Sequence, residues 1–385
     1  MGILASDGNL LTVGGKLATA NAAPATPYME AEYVEGVDYS GNTNHYIKSA
    51  KLYNHTAIYA YEFTGQTQLK NLDLSDASNN ITAIETQAFN LALMDGLVLP
   101  NTISVLKPEC FLSAYITTLT VPSLVTVLPR NAFAQIQPAY NNETGEELPI
   151  NIILPQNLTK IESNCFEGAQ IKQITIPDTV TEIGDMAFNY CDQLASITLP
   201  SGLQQISDRM LAGCLSLTSI TIPASVTAIG VNAFLNSGLT SITIPSTVTT
   251  LGSGAFANCE SLTSMDIQAN VTEIPTEFAQ GCPLTSLTLP NTLQTIGRSA
   301  FVSANVIQIT ELTIPASVTS IGDYAFTGNN TNQMTLTVLP TTPPTLGRNV
   351  FNLATGSVIK VPAASVAAYK AAAGWSIWAD KIVGM

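Results

Sequence analysis

A proline returns down this chain at a near-fixed interval: Pro100, Pro122, Pro155, Pro177, Pro200, Pro223, Pro245, Pro290, Pro315 and Pro340. Most intervals are 22 or 23 residues, one of 33 carries extra residues, and one of 45 contains a unit in which Gln268 holds the proline's place. A period of this size marks a solenoid, whose units cannot bury a hydrophobic face alone and do so by stacking on their neighbours. It sets aside the two or three compact domains that 385 residues would otherwise suggest. The functional question becomes one of surfaces rather than of a reaction.

The unit 217–239, LTSITIPASVTAIGVNAFLNSGL, shows the pattern. Ile220 and Ile222 alternate with Ser219 and Thr221, the period of a half-buried strand. Pro223 closes that strand, because proline cannot donate to a continuing ladder. Val226 and Ile229 point inward from a second short extended segment. Gly230 sits at a bend read as needing a permissive backbone, and Gly184, Gly252, Gly297, Gly322 and Gly347 hold the same place. Ala233-Phe234 then tucks into the core on one turn of helix or 3₁₀.

The phenylalanine column is the strongest check on this reading. Phe89, Phe111, Phe133, Phe166, Phe188, Phe234, Phe256, Phe301, Phe326 and Phe351 occupy it, ten of the twelve in the chain. Rings stacked at roughly the 4.8 Å spacing of neighbouring strands would form a spine. Leu211 takes the slot in one unit. Another unit reads Phe278-Ala279, in reversed order, which predicts a local slip of one residue.

Three segments follow. Residues 1–65 do not repeat and are read as an N-terminal cap; they hold Tyr28, Tyr33, Tyr39, Tyr46, Tyr53, Tyr59 and Tyr61, and 21–45 is expected to run as loop. Residues 66–361 form the solenoid, about 12 turns of 22–25 residues from the strand at Leu72 to that at Val361. An acidic insertion at 135–149 interrupts it, with a turn at Asn142, Thr144 and Gly145 beside Glu143, Glu146 and Glu147. Residues 362–385 form a C-terminal cap, with a helix expected over 363–373 and closed by Gly374. Trp375 and Trp378 follow that helix, either covering the last phenylalanine or offering a platform to a sugar.

Charged residues are only 11% and the net charge is −14. That excludes the basic patches on which binding to nucleic acid or anionic lipid relies. No apolar run reaches the roughly 18 residues of a membrane span. The first residues, MGILASDGNLLTVGG, carry neither a basic start nor a continuous apolar segment, so the chain is read either as cytoplasmic or as a mature form cut after its signal. Cys191, Cys214, Cys259 and Cys282 share one slot, and Cys110 and Cys165 another beside the phenylalanine. They are read as buried free thiols filling ladder positions, without the CxxC spacing of a zinc site. A bridge from Cys191 to Cys214, or from Cys259 to Cys282, would be strained, because the side chains point the same way.

Nucleophilic catalysis would need a preorganised histidine, and only His45 and His55 exist, in a segment read as peripheral. Asp185, Asp208 and Asp323 read as solvated corners rather than a facing carboxylate pair. No catalytic, cofactor-binding or metal-binding residue is expected. What remains is the exposed side of the first strand. Thr120, Thr175, Thr198, Thr221, Thr243, Thr288 and Thr313 lie two residues before the proline position; Ser196, Ser219, Ser241, Ser264 and Ser286 lie four before it. These short hydroxyls pave a face interrupted by Asp73, Asp266 and Glu311. Threonine also suits strands and hydroxyl ladders for structural reasons alone.

The units Leu217-Thr-Ser-Ile-Thr-Ile-Pro, Val226-Thr-Ala-Ile-Gly and Ala233-Phe, with Cys191, Cys214 and Cys259 in the cysteine slot, resemble the BspA-like, Treponema-type bacterial leucine-rich repeats. The tail PPTLGRNVF and VPAASVAAYKAAAGW resembles the closing segment of Bacteroides-type members. The resemblance spans about 70–385 and is weak before it. It implies a right-handed leucine-rich-repeat superhelix of short parallel strands with short helical or 3₁₀ turns. It implies a non-enzymatic, secreted or surface-exposed protein that adheres to host or bacterial surface proteins. The alternatives are a glycan-binding module and an architectural spacer. A monomer without cofactor is expected, with binding carried by Thr175, Thr198, Thr221, Thr243, Thr288, Thr313, Ser196, Ser219 and Ser241.

Overall fold

Each repeat makes one turn of a β-solenoid, and about 14 such turns of stacked parallel strands follow one another along the chain. The structure is a computed structural model that describes residues 28–37, 43–69, 71–94, 97–140, 144, 146–303, 309–328 and 333–385. Two units, Met1–Val180 and Thr181–Met385, are each built of these turns. Residues 1–15, Tyr39, Asn142, Glu143 and Gly145, all singled out above, lie outside the described residues.

The strands are short because each turn must bend sharply to return over itself. In the first unit Ala57–Ile58, Ala83–Ile84 and Val105–Leu106 pair in parallel register. In the second, Ser241–Ile244, Ser264–Ile267 and Ser286–Thr288 do so, with Ile242, Met265 and Leu287 opposite one another and buried. The unit chosen above as typical departs from this. Residues 217–223 carry no strand, Ile220 is only half-buried, and Thr240 N–H reaches Thr218 O at 3.0 Å beside it. The paired strand of that unit is Ala228–Ile229.

All twelve phenylalanines are buried, and the ring files take in Phe63 and Phe278 beyond the ten of the sequence column. In the first unit Phe63, Phe89, Phe111, Phe133 and Phe166 stack with centroids 5.2–5.4 Å apart and planes within 10°. In the second, Phe234 lies 5.0 Å from Phe256, and Phe301 to Phe326 to Phe351 continue at 5.3 and 5.4 Å. Leu211 is fully buried in the phenylalanine slot of its own turn.

The backbone at this corner is the opposite of a helix. Residues two before and two after the ring are left-handed: Gln87 and Leu91 around Phe89, Asn131 and Gln135 around Phe133, Asn232 and Asn236 around Phe234. These turn the peptide planes so that alternate N–H groups leave the turn. Phe89 N–H donates to Cys110 O at 2.9 Å, Phe133 to Cys165 O at 2.8 Å, and Phe234 to Ala255 O at 2.7 Å. Each of these bonds reaches the next turn, one residue before its ring. The expected helical turn is therefore absent here.

The same bonds show why the reversed pair is not a slip. Phe256 N–H donates to Phe278 O at 2.8 Å, and Ala279 N–H donates to Ala300 O at 2.7 Å. Glu277 and Gly281 are left-handed around Ala279, so Ala279 holds the ring's backbone place. Phe278 enters from the alanine position instead, and meets Phe256 at 75° and Phe301 at 81°, edge to face.

The glycine column needs no left-handed backbone; it needs room. A Cβ on Gly297 would lie 2.7 Å from the carbonyl carbon of Pro275, and one on Gly322 2.8 Å from the nitrogen of Arg298. Only a residue without a side chain lets successive turns approach this closely. Asp208, read as a solvated corner, is tied in as well: its carboxylate accepts from Val231 N–H of the next turn at 2.7 Å. Asp323 accepts from Arg348 N–H at 2.7 Å in the same way.

The first unit opens with more order than the sequence suggests. Tyr28–Val37 pairs antiparallel with Thr43–Tyr53, which then pairs in parallel with Asn71–Asp73. Tyr28–Val37 falls in the stretch expected to be loop; Glu30, Glu32 and Glu35 do not keep one phase, because a bulge between Glu32 and Tyr33 breaks the period of two. The insertion leaves register intact, since Leu119 still pairs with Ile152 and Leu128 with Ile161. Its extra residues close on themselves through a bridge from Tyr140 to Glu147.

At the other end the helix is shorter than expected, Val366–Ala371, preceded by a 3₁₀ turn at Ala363–Ser365. Gly374 is left-handed at φ 81, and Ile382–Gly384 adds a last parallel strand to Val358–Val361. Trp375 is fully buried against Phe351, and its indole N–H donates to Pro344 O at 2.8 Å.

Burying a phenylalanine stabilises a fold by about 1.5–3 kcal/mol, and truncating one leaves a cavity as well. Phe256→Ala should cost roughly 3–5 kcal/mol in urea-unfolding free energy. A loss below about 1 kcal/mol would show that the file does not hold the turns together.

Candidate binding surface

Alternation along the first strand sends every second side chain outward. Ser196 and Thr198 flank buried Ile197; Ser241 and Thr243 flank buried Ile242. Ser219, Thr221, Thr288 and Thr313 are exposed in their own turns of the second unit, and Thr175 is exposed in the first. The register aligns them across turns: Ser241 with Ser264 and Ser286, Thr243 with Asp266 and Thr288, Thr313 with Thr337 and Lys360.

Two neighbouring hydroxyl columns behave differently. Thr240, Thr263 and Thr285, one residue earlier in the strand, donate back to carbonyls of the preceding turn at 3.3, 3.3 and 3.1 Å. Their hydroxyls are spent on the fold. Among the described residues, the hydroxyls of Thr175, Thr198, Thr221, Thr243, Thr288, Thr313, Ser196, Ser219 and Ser241 make no hydrogen bond within the protein. The sequence alone could not separate these columns, because both are written in serine and threonine. Asp266, in the same face, accepts from the Gln268 amide at 2.7 Å and is held in place by it.

His55 is not peripheral. It is buried, and both ring nitrogens face acceptors: Nδ1 lies 2.9 Å from Tyr53 O and Nε2 3.0 Å from Glu62 Oε1. Two acceptors require both nitrogens to carry protons, so the ring is an imidazolium paired with a carboxylate. Burial opposes that charge, but the hydrogen bond and charge of Glu62, with the Tyr53 carbonyl, outweigh it and raise the pKa. Glu62 in turn accepts from Tyr59 N–H at 2.7 Å. This is a structural pair with no nitrogen left to move a proton for a substrate. Only the bulk of the site's surroundings, not any motif, could have revealed it.

All six cysteines are free and buried. Cys214, Cys259 and Cys282 donate to the carbonyls of Phe188, Phe234 and Phe256 in the preceding turns at 3.3, 3.1 and 3.1 Å. Burial pushes the Cys214 thiol up to about 12 and Cys110 higher still. Among the described residues, no cluster of three or more histidine, cysteine or acidic side chains could hold a metal, and no helix is long and apolar enough to cross a membrane. Trp375, being buried, offers no open face to a sugar.

Stacked turns of this length, closed by short parallel strands and buried ring files, define a leucine-rich-repeat solenoid. The model of the BspA-type leucine-rich repeat region matches residues 39–139, 149–239 and 227–357 in six copies, and the chain belongs to that family. Proteins of this family are typically surface-exposed in bacteria, and the architecture is consistent with a protein-binding scaffold. A leucine-rich repeat protein from Bacteroides ovatus is 19% identical, covering 92% of this chain and 98% of its own, with a TM-score of 0.49. A leucine-rich cell surface protein from Faecalibacterium prausnitzii is 21% identical, covering 79% and 92%, with a TM-score of 0.41. The leucine-rich repeat protein of T. pallidum is 28% identical, covering 45% of this chain and 87% of its own, with a TM-score of 0.39. No curated protein matches the chain.

Two outcomes follow. Ellman's reagent should leave the native thiols unreacted over minutes and count all six in denaturant; fast native labelling would contradict their burial. Because the folded pKa of His55 lies above its unfolded value of about 6.5, its contribution is complete below that pH and is lost as pH rises through the folded value. The melting-temperature advantage of wild type over His55→Gln should therefore shrink on going from about pH 6 to pH 9. An advantage that grew with pH would refute the charged pair.

Proposed function

We propose that this protein is a non-enzymatic scaffold displayed outside the bacterial cell, and that the hydroxyl-paved strand face is its contact surface for a partner protein in adhesion or host interaction. One observation carries the reading. Thr198, Thr221, Thr243 and their neighbours are exposed and hold donors and acceptors that the fold does not use. The adjacent row is spent differently, with Thr240, Thr263 and Thr285 bonded back to the preceding turn. Short hydroxyl side chains lose little rotamer entropy when covered, so a flat face of them suits a broad interface. The family's protein-binding habit supports the same reading.

The test is a binding screen against immobilised host extracellular-matrix and epithelial surface proteins. Saturable binding to at least one is expected. Replacing Thr198, Thr221 and Thr243 together by Lys should weaken it about ten-fold or more, without lowering the melting temperature, because three desolvated ammonium groups oppose docking. Equal binding by the triple variant would remove this face as the site. No saturable binding to any of them would leave the architectural reading in its place.

A further inference from the structure

In the second unit a groove of about 560 Å³ opens beside the corners that carry Leu211 and Phe234. It exists because side chains are missing. The left-handed position after the ring holds Tyr190, Gly213, Asn236 and Asn258 in successive turns, and Gly238 follows two residues after Asn236. Gly213 and Gly238 leave the floor as bare main chain. A Cβ on Gly213 would lie 2.6 Å from Cδ1 of Tyr190 and 3.2 Å from its Cε1, so the tyrosine ring occupies the space a side chain would fill. Tyr190 is nevertheless 63% exposed. One side of the ring is backed by the neighbouring turn and the rest is open to solvent. Its backbone is fixed by a hydrogen bond from Tyr190 N–H to Ala212 O at 2.7 Å. The result is an aromatic platform on a fixed backbone at one end of an open groove.

The rim decides what such a platform would take. Asp192 and Glu260 bring carboxylates, Asn236 and Asn258 bring carboxamides, and Leu215 is 63% exposed beside them. No lysine, arginine or histidine lines the groove. A pyranose ring has an apolar C–H face that packs on an aromatic side chain, and an edge of hydroxyls that both donate and accept. Carboxylates take the donors, and carboxamides serve both roles. An ammonium or guanidinium group offers donors only, and would leave the carboxamide N–H groups without use. We infer that this groove is a binding site for a neutral oligosaccharide, with one sugar ring laid on Tyr190 beside Asp192 and the hydroxyls of the following rings met by Asn236, Asn258 and Glu260 in the later turns. The site shares no residue with the strand face, so either can fail without the other.

The full chain is titrated with cellotriose, mannotriose and chitotriose by calorimetry and saturation-transfer NMR, with trilysine as the cationic control. Binding of at least one trisaccharide is expected, with saturation passing from tyrosine ring protons. Tyr190→Ala should weaken it about ten-fold, and Tyr190→Phe should retain it. Gly213→Ala, which displaces the ring, should reproduce the loss; the Thr198, Thr221 and Thr243 lysine variant should not. Circular dichroism and melting temperature establish that each variant is folded. The site is overturned if no trisaccharide binds below about 10 mM, if Tyr190→Ala binds as wild type does, or if trilysine alone binds.

Discussion

Within each unit the stacking depends on one hydrogen bond repeated from corner to corner: the N–H of the ring residue, or of the residue in its backbone place, reaching the carbonyl one residue before that place in the next turn. It holds where the ring is phenylalanine, at Phe89 and Phe234, where it is leucine, at Leu211, and where it is alanine, at Ala279. The side chain at the corner is therefore a filler, and the backbone geometry is the frame. That geometry has a cost. A left-handed residue other than glycine is strained by roughly 1–2 kcal/mol, and the corners use them twice per turn at Gln87 and Leu91 or Asn232 and Asn236. The strain is offset because the same twist frees alternate N–H groups for the neighbouring turn, where they would otherwise be buried without partners.

The period, the ring column and the proline stops were legible because each is an identity constraint: a slot that accepts few residue types repeats visibly. What was not legible has no such signature. Left-handed positions hold Asn and Gly most often but also Gln, Leu, Glu, Ser, Met, Tyr and Arg, a mixture that spells no single-residue column. Phe63 falls in the segment read as non-repeating and Phe278 stands in reversed order with Ala279, yet both lie in the ring files, one by beginning the first file and one by entering from the adjacent backbone position. The glycine column was visible, but its reason was not: close approach of main chains and a left-handed bend select the same residue. The strand Tyr28–Val37 was hidden by glutamates, which are poor strand residues in isolation.

The surface was half legible. Alternation shows which strand residues point outward, and all nine named hydroxyls do so. Alternation does not show which hydroxyls the fold consumes, because that depends on a carbonyl in another turn. Thr240 and Thr243 are three residues apart and chemically identical, yet one is bonded inward and the other is available. His55 shows the same limit from the other side, since its partners Tyr53 and Glu62 are close in sequence without spelling a motif.

The corner bond runs only forward: each turn's ring residue donates to its successor and accepts nothing from it there. A turn is thus a module with one fixed donor end and one fixed acceptor end, indifferent to which copy it meets. Whole copies can be duplicated or lost from such a gene without any compensating change elsewhere, provided that the cut removes a complete period. The longer copy between Pro122 and Pro155 shows the other change such a stack accepts, a partial surplus confined to a side loop while Leu119 and Leu128 keep their partners. Variation in reach, from one strain's gene to another's, is then an inexpensive adjustment, whereas insertion of a single residue in a corner is not.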